Sequence, residues 1–258
     1  MQQIVGVPTV LDRQGFRKAV VLLASAIVLA AIGRSDAMDV TSCGQVVRDR
    51  DTGVLVGDLA CTSAPGSFAV ELGARATLQL DGHTISGDSV NCPRGCTILG
   101  PGDITGAYTA VLGNGVRPMT LAGGLSIHDN LFGVVDGGSR LTLIDVDVSN
   151  NSENGLLVVA RSVIGTNVTV NGNGGFGLHA QQARVRIDGL TATGNGWFGV
   201  EAKSLRLFNS TVTGNEGGTP VNPPFVDVAS ARRPRLFNTV CDHSYGGPTG
   251  TWGVCSGD

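Results

Sequence analysis

Lysine is almost missing from this chain: Lys18 and Lys203 are the two present in 258 residues. Aromatic residues make up 5% and charged residues 15% of the chain. So little lysine leaves no polybasic membrane patch. A formal net charge of −3 removes the usual electrostatic basis for holding nucleic acid through its phosphates. No ten-residue helical stripe runs through the body of the chain. Glycine is abundant at 39 residues, but it follows no G-X-Y period, which excludes collagen. What is present is a hydrophobic share of 41%, too large for a disordered chain. The length suffices for one large domain or two small ones.

Arg13, Arg17 and Lys18 precede an apolar run from Ala19 to Ile32, and Ser35-Asp36-Ala37 follows as a small-residue exit. That order reads as a signal peptide over residues 1–37, with an uncleaved anchor as the alternative. The run is short and Ala-rich for a membrane span, and none is expected in the mature chain. Cleavage removes Arg13, Arg17, Lys18 and Arg34 together with Asp12 and Asp36. The 18 basic and 21 acidic residues then become 14 and 19, a net charge of −5. The expectation is an exported protein, periplasmic or extracellular. All six cysteines lie downstream, and an even number in an oxidising compartment reads as disulfides rather than a metal site. Several pairings are open in principle; nearness in sequence favours Cys43–Cys61, Cys92–Cys96 and Cys241–Cys255.

An internal repeat decides the fold class. Asn130, Asn151, Asn173, Asn195 and Asn215 end similar phrases, spaced 21, 22, 22 and 20 residues apart. Gly133, Gly155, Gly177 and Gly199 recur every 22 residues, each followed by Val or Leu. Within a unit, Leu141–Leu143, Val146–Val148 and Leu156–Val158 alternate or run apolar between turns, the mark of short strands with one face buried. Three strands per repeat, stacked about 4.8 Å apart, make an all-β, right-handed parallel β-helix with rungs of about 22 residues. Val148, Val170, Ala192 and Val212 are expected as an inward column, and the five Asn as a turn ladder in which each amide bonds to the next. Residues 38–75 are expected as an N-terminal capping element and 76–216 as the rungs. Residues 217–258 would supply a loop, a last strand and a C-terminal cap, both ends being closed by disulfides.

The opening Cys43…Asp58-Leu59-Ala60-Cys61, the phrase LDGHTISG at 80–87 and the stacked GN repeats resemble bacterial right-handed parallel β-helix repeat proteins of the pectin-lyase-like superfamily. The resemblance covers most of the mature chain. It implies a fold shared by polysaccharide lyases, glycosidases, epimerases and adhesins, and a polysaccharide or cell-surface glycan as partner. The NTD, DD, GHG and RIK motifs of polygalacturonase-type hydrolases are absent, so paired-carboxylate hydrolysis is not expected.

A lyase or epimerase would need a base and a cation that neutralises the sugar carboxylate. Outward positions of the third strand give Val135, Leu157, His179 and Glu201, and those of the first strand give Arg186 and Arg206, with Arg184 one alternation earlier. His179, Glu201, Arg186 and Arg206 are therefore the candidate catalytic residues, set against the plainer reading that they are solvated face residues. His83 is expected to serve the cap and His128 to replace a turn residue. Asp145 and Asp188 offer oxygen ligands of the kind Ca²⁺ takes, but one Asp per turn is sparse, and no cofactor is identified. Phe132, Phe176, Trp197 and Phe198 are expected to pack inward or cover a corner. The leading functional expectation is glycan contact through a rung face. The alternatives are a polyuronate lyase or C5-epimerase, and a structural or adhesive surface protein.

Overall fold

The computed structural model describes residues 37–62, 67–216, 226–246 and 250–258. The signal-peptide reading falls outside them apart from Ala37, as does the Pro-rich stretch 217–225. No helix forms among the described residues. The short alternating runs become strands that pair in parallel across successive turns, giving a β-solenoid of about eight turns.

Three columns of strands form its walls. The first begins with Ala37–Val40, Thr52–Leu55, Thr77–Gln79 and Thr97–Leu99 and ends at Arg235–Phe237. The second runs from Leu59–Ala60 through Thr84–Ser86 and Gly102–Thr105 to Val240–Cys241. The third runs from Gln45–Val47 through Val70–Leu72 and Val90–Cys92 to Val228–Ser230 and Ser244–Tyr245. Parallel pairing thus continues into both segments expected as end elements, 38–75 and 217–258. In the middle turns the first and second strands run on as one bent strand, as in Leu141–Ser149 and Ser162–Thr169. The bend falls on a single left-handed residue, Asp145, Asn167, Gly189 or Asn209. Asn167 Nδ2 donates to Asp145 Oδ1 and Asn209 Nδ2 to Asp188 Oδ1, each at 2.8 Å. Asp145 and Asp188 therefore serve an exposed corner.

Period-two alternation sends every second side chain inward, and Val148, Val170, Ala192 and Val212 are fully buried. The five repeat-ending Asn are buried too, at 0–1% exposure. Each Nδ2 donates to the next Oδ1: Asn130 to Asn151, Asn151 to Asn173 and Asn173 to Asn195 at 3.0 Å, then Asn195 to Asn215 at 2.8 Å. The same oxygens accept the backbone N–H of the preceding Asn. The left-handed φ is carried by the residue just before each ladder Asn, namely Asp129, Asn150, Gly172, Gly194 and Gly214. That placement explains the recurring GN pair. The ladder ends on Asp227, whose Oδ1 accepts from Asn215 Nδ2 at 2.9 Å while Oδ2 takes the N–H groups of Asp242 and His243. The 22-residue glycines are steric: a Cβ on Gly155 would stand 2.7 Å from Asn173 Nδ2, and one on Gly177 would stand 2.9 Å from Asn195 Nδ2.

The three disulfides join Cys43–Cys61, Cys92–Cys96 and Cys241–Cys255. The first ties the opening turn, which passes from the first column to the third without a second-column strand, to the strand Leu59–Ala60 of the next. The last closes the far end. Cys92–Cys96 lies between them, on the corner from the third column to the first. Gln45 ties the opening turn together: its Oε1 accepts from Thr41 N–H at 3.0 Å and its Nε2 donates to Asp39 O at 2.8 Å.

One inward strand position among the described residues carries an acidic side chain. Asp136, 1% exposed, points into the core between Gly113 and Val158 of the adjoining turns. A Cβ on Gly113 would lie 2.7 Å from its Oδ1. Oδ1 accepts from Gly138 N–H at 2.9 Å, and Oδ2 has no hydrogen-bond partner among the described residues. Burial pushes its pKa from 3.8 to about 6, against the lowering effect of the Gly138 bond.

Two predictions follow from these buried groups. Asn173→Ala removes the oxygen that accepts from Asn151 Nδ2 and the Asn151 N–H together with the donor to the Val148 carbonyl, and it should cost about 3 kcal/mol or more in denaturant unfolding. Asp136 binds its proton more tightly when folded, so stability should rise by up to roughly 3 kcal/mol as pH falls from about 7 to 4. Asp258 acts in a separate window. Burial raises its pKa, but bonds from the Ser244 hydroxyl and the Cys255, Ser244 and Val254 N–H groups outweigh this and hold it at about 2. Its contribution is lost only as pH falls below the usual carboxylate range. Asp136→Asn should flatten the dependence between pH 4 and 7; an unchanged slope would remove Asp136 as its source.

Candidate functional site

The outward lane of the third column assembles from residues 16 to 28 apart in sequence. Val135 pairs with Leu157, Leu157 with His179, His179 with Glu201, Glu201 with Ala229 and Ala229 with Tyr245. His179 stands outward because Leu178 and Ala180 point inward, and Glu201 because Val200 and Ala202 do. His179 Nδ1 and Glu201 Oε2 lie 2.8 Å apart, with the side chains 23% and 17% exposed. Both atoms are sealed from solvent and neither has a hydrogen-bond partner among the described residues, so the 2.8 Å approach is a close polar contact without hydrogen-bond alignment. Glu201 Oε1 accepts from Gln181 Nε2 at 2.8 Å. With Nδ1 turned to the carboxylate, Nε2 is the imidazole atom left for a ligand or a proton.

An aromatic group borders this pair. Phe176 meets His179 edge-on at 4.3 Å between ring centres and also contacts Trp197 at 5.0 Å and Phe198 at 5.3 Å. Phe198 in turn lies 6.5 Å from Tyr245. Two turns earlier Tyr108 and Phe132 make a similar contact at 5.8 Å. Phe176 is buried, as expected. Trp197 and Tyr108 are 46% and 70% exposed and offer ring surface to solvent. Beyond Glu201 the small residue Ala229 opens a depression of about 330 Å³ lined also by Gln181, Gln182, Ser230 and Tyr245.

Arg186 and Arg206 stand elsewhere. They are neighbours of each other on the first column, around the corner from His179 and Glu201, and Arg235 continues their row on the last turn. The Arg186 guanidinium lies 4.8 Å from the centre of the Phe208 ring, which stacks on Phe237 at 4.9 Å. The structure thus brings together two pairs of the four residues and keeps the pairs on different walls. Gln181 was readable two positions after His179. Ala229 and Tyr245 were not, because the broken stretch 217–225 displaces them from the 22-residue count.

The other singled-out residues have local partners. His83 Nδ1 lies 3.4 Å from Asp58 Oδ1, so its ring meets a carboxylate near the opening of the stack. His128 Nδ1 lies 2.8 Å from Asp129 Oδ2, and its Nε2 lies 3.6 Å from Asp103 Oδ1. Asp147 receives the Ser149 hydroxyl in a short hydrogen bond.

These features define an all-β parallel solenoid with a polar and aromatic outer lane. The architecture is the parallel β-helix implied by the resemblance to pectin-lyase-like repeat proteins, and strand pairing within this chain establishes it. No protein-family model and no curated protein matches the chain. Among solved structures, one described as the crystal structure of pectate lyase Pel9A is similar, with 14% identity and a TM-score of 0.30. The match covers 85% of this chain and 56% of that one, so the chain spans little more than half of that structure.

The two sealed atoms of the His179–Glu201 pair carry a prediction of their own. In a double-mutant cycle, His179→Ala and Glu201→Ala should be non-additive by about 1 kcal/mol in unfolding free energy. Additive losses would mean that the contact contributes nothing.

Proposed function

We propose that the protein is exported and interacts with polysaccharide along the outer face of its third column. One observation carries this reading: the lane from Leu157 to Tyr245 sets exposed ring surface beside convergent polar groups. Trp197 and Tyr245 offer faces on which a sugar ring stacks, while Glu201, Gln181 and Gln182 offer hydrogen-bond partners for its hydroxyls. The depression past Ala229 gives one ring a concave seat. Export is supported by the three disulfides, which persist in oxidising compartments. No helix among the described residues is long and apolar enough to cross a membrane.

The orientation of His179 by Glu201 supports a second reading, a polyuronate lyase or C5-epimerase with His179 Nε2 as base. That chemistry also needs a cation beside the sugar carboxylate. Arg186 and Arg206 would have to act from the neighbouring wall, so recognition is the reading favoured.

The purified full chain should be offered acidic and neutral polysaccharides while binding and the ultraviolet absorbance of unsaturated products are recorded together. Binding without new absorbance is expected, weakened severalfold by Trp197→Ala and little changed by His179→Ala. Absorbance that His179→Ala abolishes would establish β-elimination instead. Binding that Trp197→Ala leaves unchanged would move recognition away from this face.

A further inference from the structure

Seven basic side chains lie between residues 184 and 235: Arg184, Arg186, Lys203, Arg206, Arg232, Arg233 and Arg235. They are half of the 14 carried by residues 37–258, and all seven are exposed. Arg186, Arg206 and Arg235 stand in register on successive strands of the first column, about 4.8 Å apart along the stack. Arg184 lies on the same face two residues before Arg186, and Lys203, Arg232 and Arg233 occupy the corner leading into that face.

Like charges placed directly opposite on neighbouring strands repel, and the contact of Arg186 with the Phe208 ring leaves their charge unneutralised. Among the described residues, none of the seven has a carboxylate within ion-pair distance. The acids of the same stretch are engaged or lie off the row. Glu201 is held by His179 and Gln181, Asp227 is buried at the end of the asparagine ladder, and Asp188 accepts from Asn209. Beside the row, Asp188, Phe208 and Phe237 form the parallel outward lane, and Phe237 presents half of its surface.

We propose that this arginine row is a second binding surface, taking a linear acidic glycan whose carboxylate or sulfate groups engage successive guanidiniums. Arginine suits the task because its planar fork meets such anions through two parallel hydrogen bonds. The Phe208–Phe237 stack gives the sugar rings an apolar rest. Charge density argues for a glycan over nucleic acid. A duplex presents one charge per roughly 1.7 Å of its axis, far denser than the row. The surface lies on a different wall from the third-column lane and extends the polysaccharide reading to acidic polymers.

The test immobilises polygalacturonate, dextran sulfate, neutral dextran and duplex DNA, and measures binding of the full chain at rising salt. Expected is salt-sensitive binding to one or both acidic glycans and none to dextran. Carboxylate and sulfate are told apart by which of the two polymers is held. The combined variant Arg186→Gln, Arg206→Gln, Arg235→Gln should lose at least about tenfold in affinity. The charge-matched variant Arg48→Gln, Arg75→Gln, Arg140→Gln should lose little. Acidic-glycan binding indifferent to the row would overturn the proposal while leaving the polysaccharide reading intact. Preference for DNA, or no binding to either acidic glycan, would also overturn it.

Discussion

The buried asparagine ladder fixes the register of the stack from the turn of Asn130 to that of Asp227. A parallel solenoid must turn its backbone sharply between walls, and each turn threatens to strand amide groups in the core. Here one side-chain oxygen per turn accepts both the amide and the backbone N–H of the preceding turn. The amide's second hydrogen goes to a strand carbonyl, as from Asn173 to Val148 O at 3.1 Å. Every member both gives and receives, so a slip by one residue would break several bonds at once. The marker glycines follow from this constraint, since a side chain there would meet the ladder amide or the next turn's backbone. The chain meets the same demand at the exposed corner by a looser device, with Asn167, Asn209 and Asn238 each reaching back to the preceding turn.

A fixed register makes the outside of the molecule a set of lanes. Whatever occupies one outward position is held beside its counterpart one turn away, and chemistry accumulates by column. Thr52, Thr77, Thr97, Thr120 and Thr142 occupy one lane of the first column in unbroken register; Ile164 follows, and then come Arg186, Arg206 and Arg235. A single wall thus changes from neutral hydroxyls to guanidiniums along its length. The third column makes a comparable change from aliphatic Leu112, Val135 and Leu157 to His179 and Glu201. Both changes fall in the last turns, which makes that end the chemically distinctive part of the stack.

How much of this was legible depended on whether the repeat kept time. His179 and Glu201 sit 22 residues apart and could be placed side by side from the sequence alone. So could the five ladder Asn and the inward valine column. Asp227 could not be seen as the ladder's terminus, because it follows Asn215 by 12 residues across the irregular stretch. Arg235 was hidden for the same reason, lying 29 residues after Arg206. Asp136 was missed because Asp-Gly-Gly reads as a surface turn, whereas the register seats its side chain opposite the space left by Gly113. Grouping Arg186 and Arg206 with His179 failed on geometry: a count along the chain locates a residue on its wall but does not say how far two walls diverge at a corner.

That divergence bears on what the protein can do with a glycan. Catalysis on a uronate requires base and cation around a single sugar ring, within hydrogen-bond reach of neighbouring atoms. Arg186 and Arg206 stand on the wall adjoining that of His179 and Glu201, so base and cation would have to reach one ring from two walls. Recognition has no such requirement. An extended polymer can touch an aromatic lane with one stretch and an arginine row with another, and two modest contacts joined by one chain bind more tightly than either alone. The two-wall arrangement therefore suits holding a polymer better than cutting it. The His179–Glu201 pair agrees with that reading, because a carboxylate tied to Gln181 through one oxygen and set 2.8 Å from His179 Nδ1 by the other is placed to keep its position.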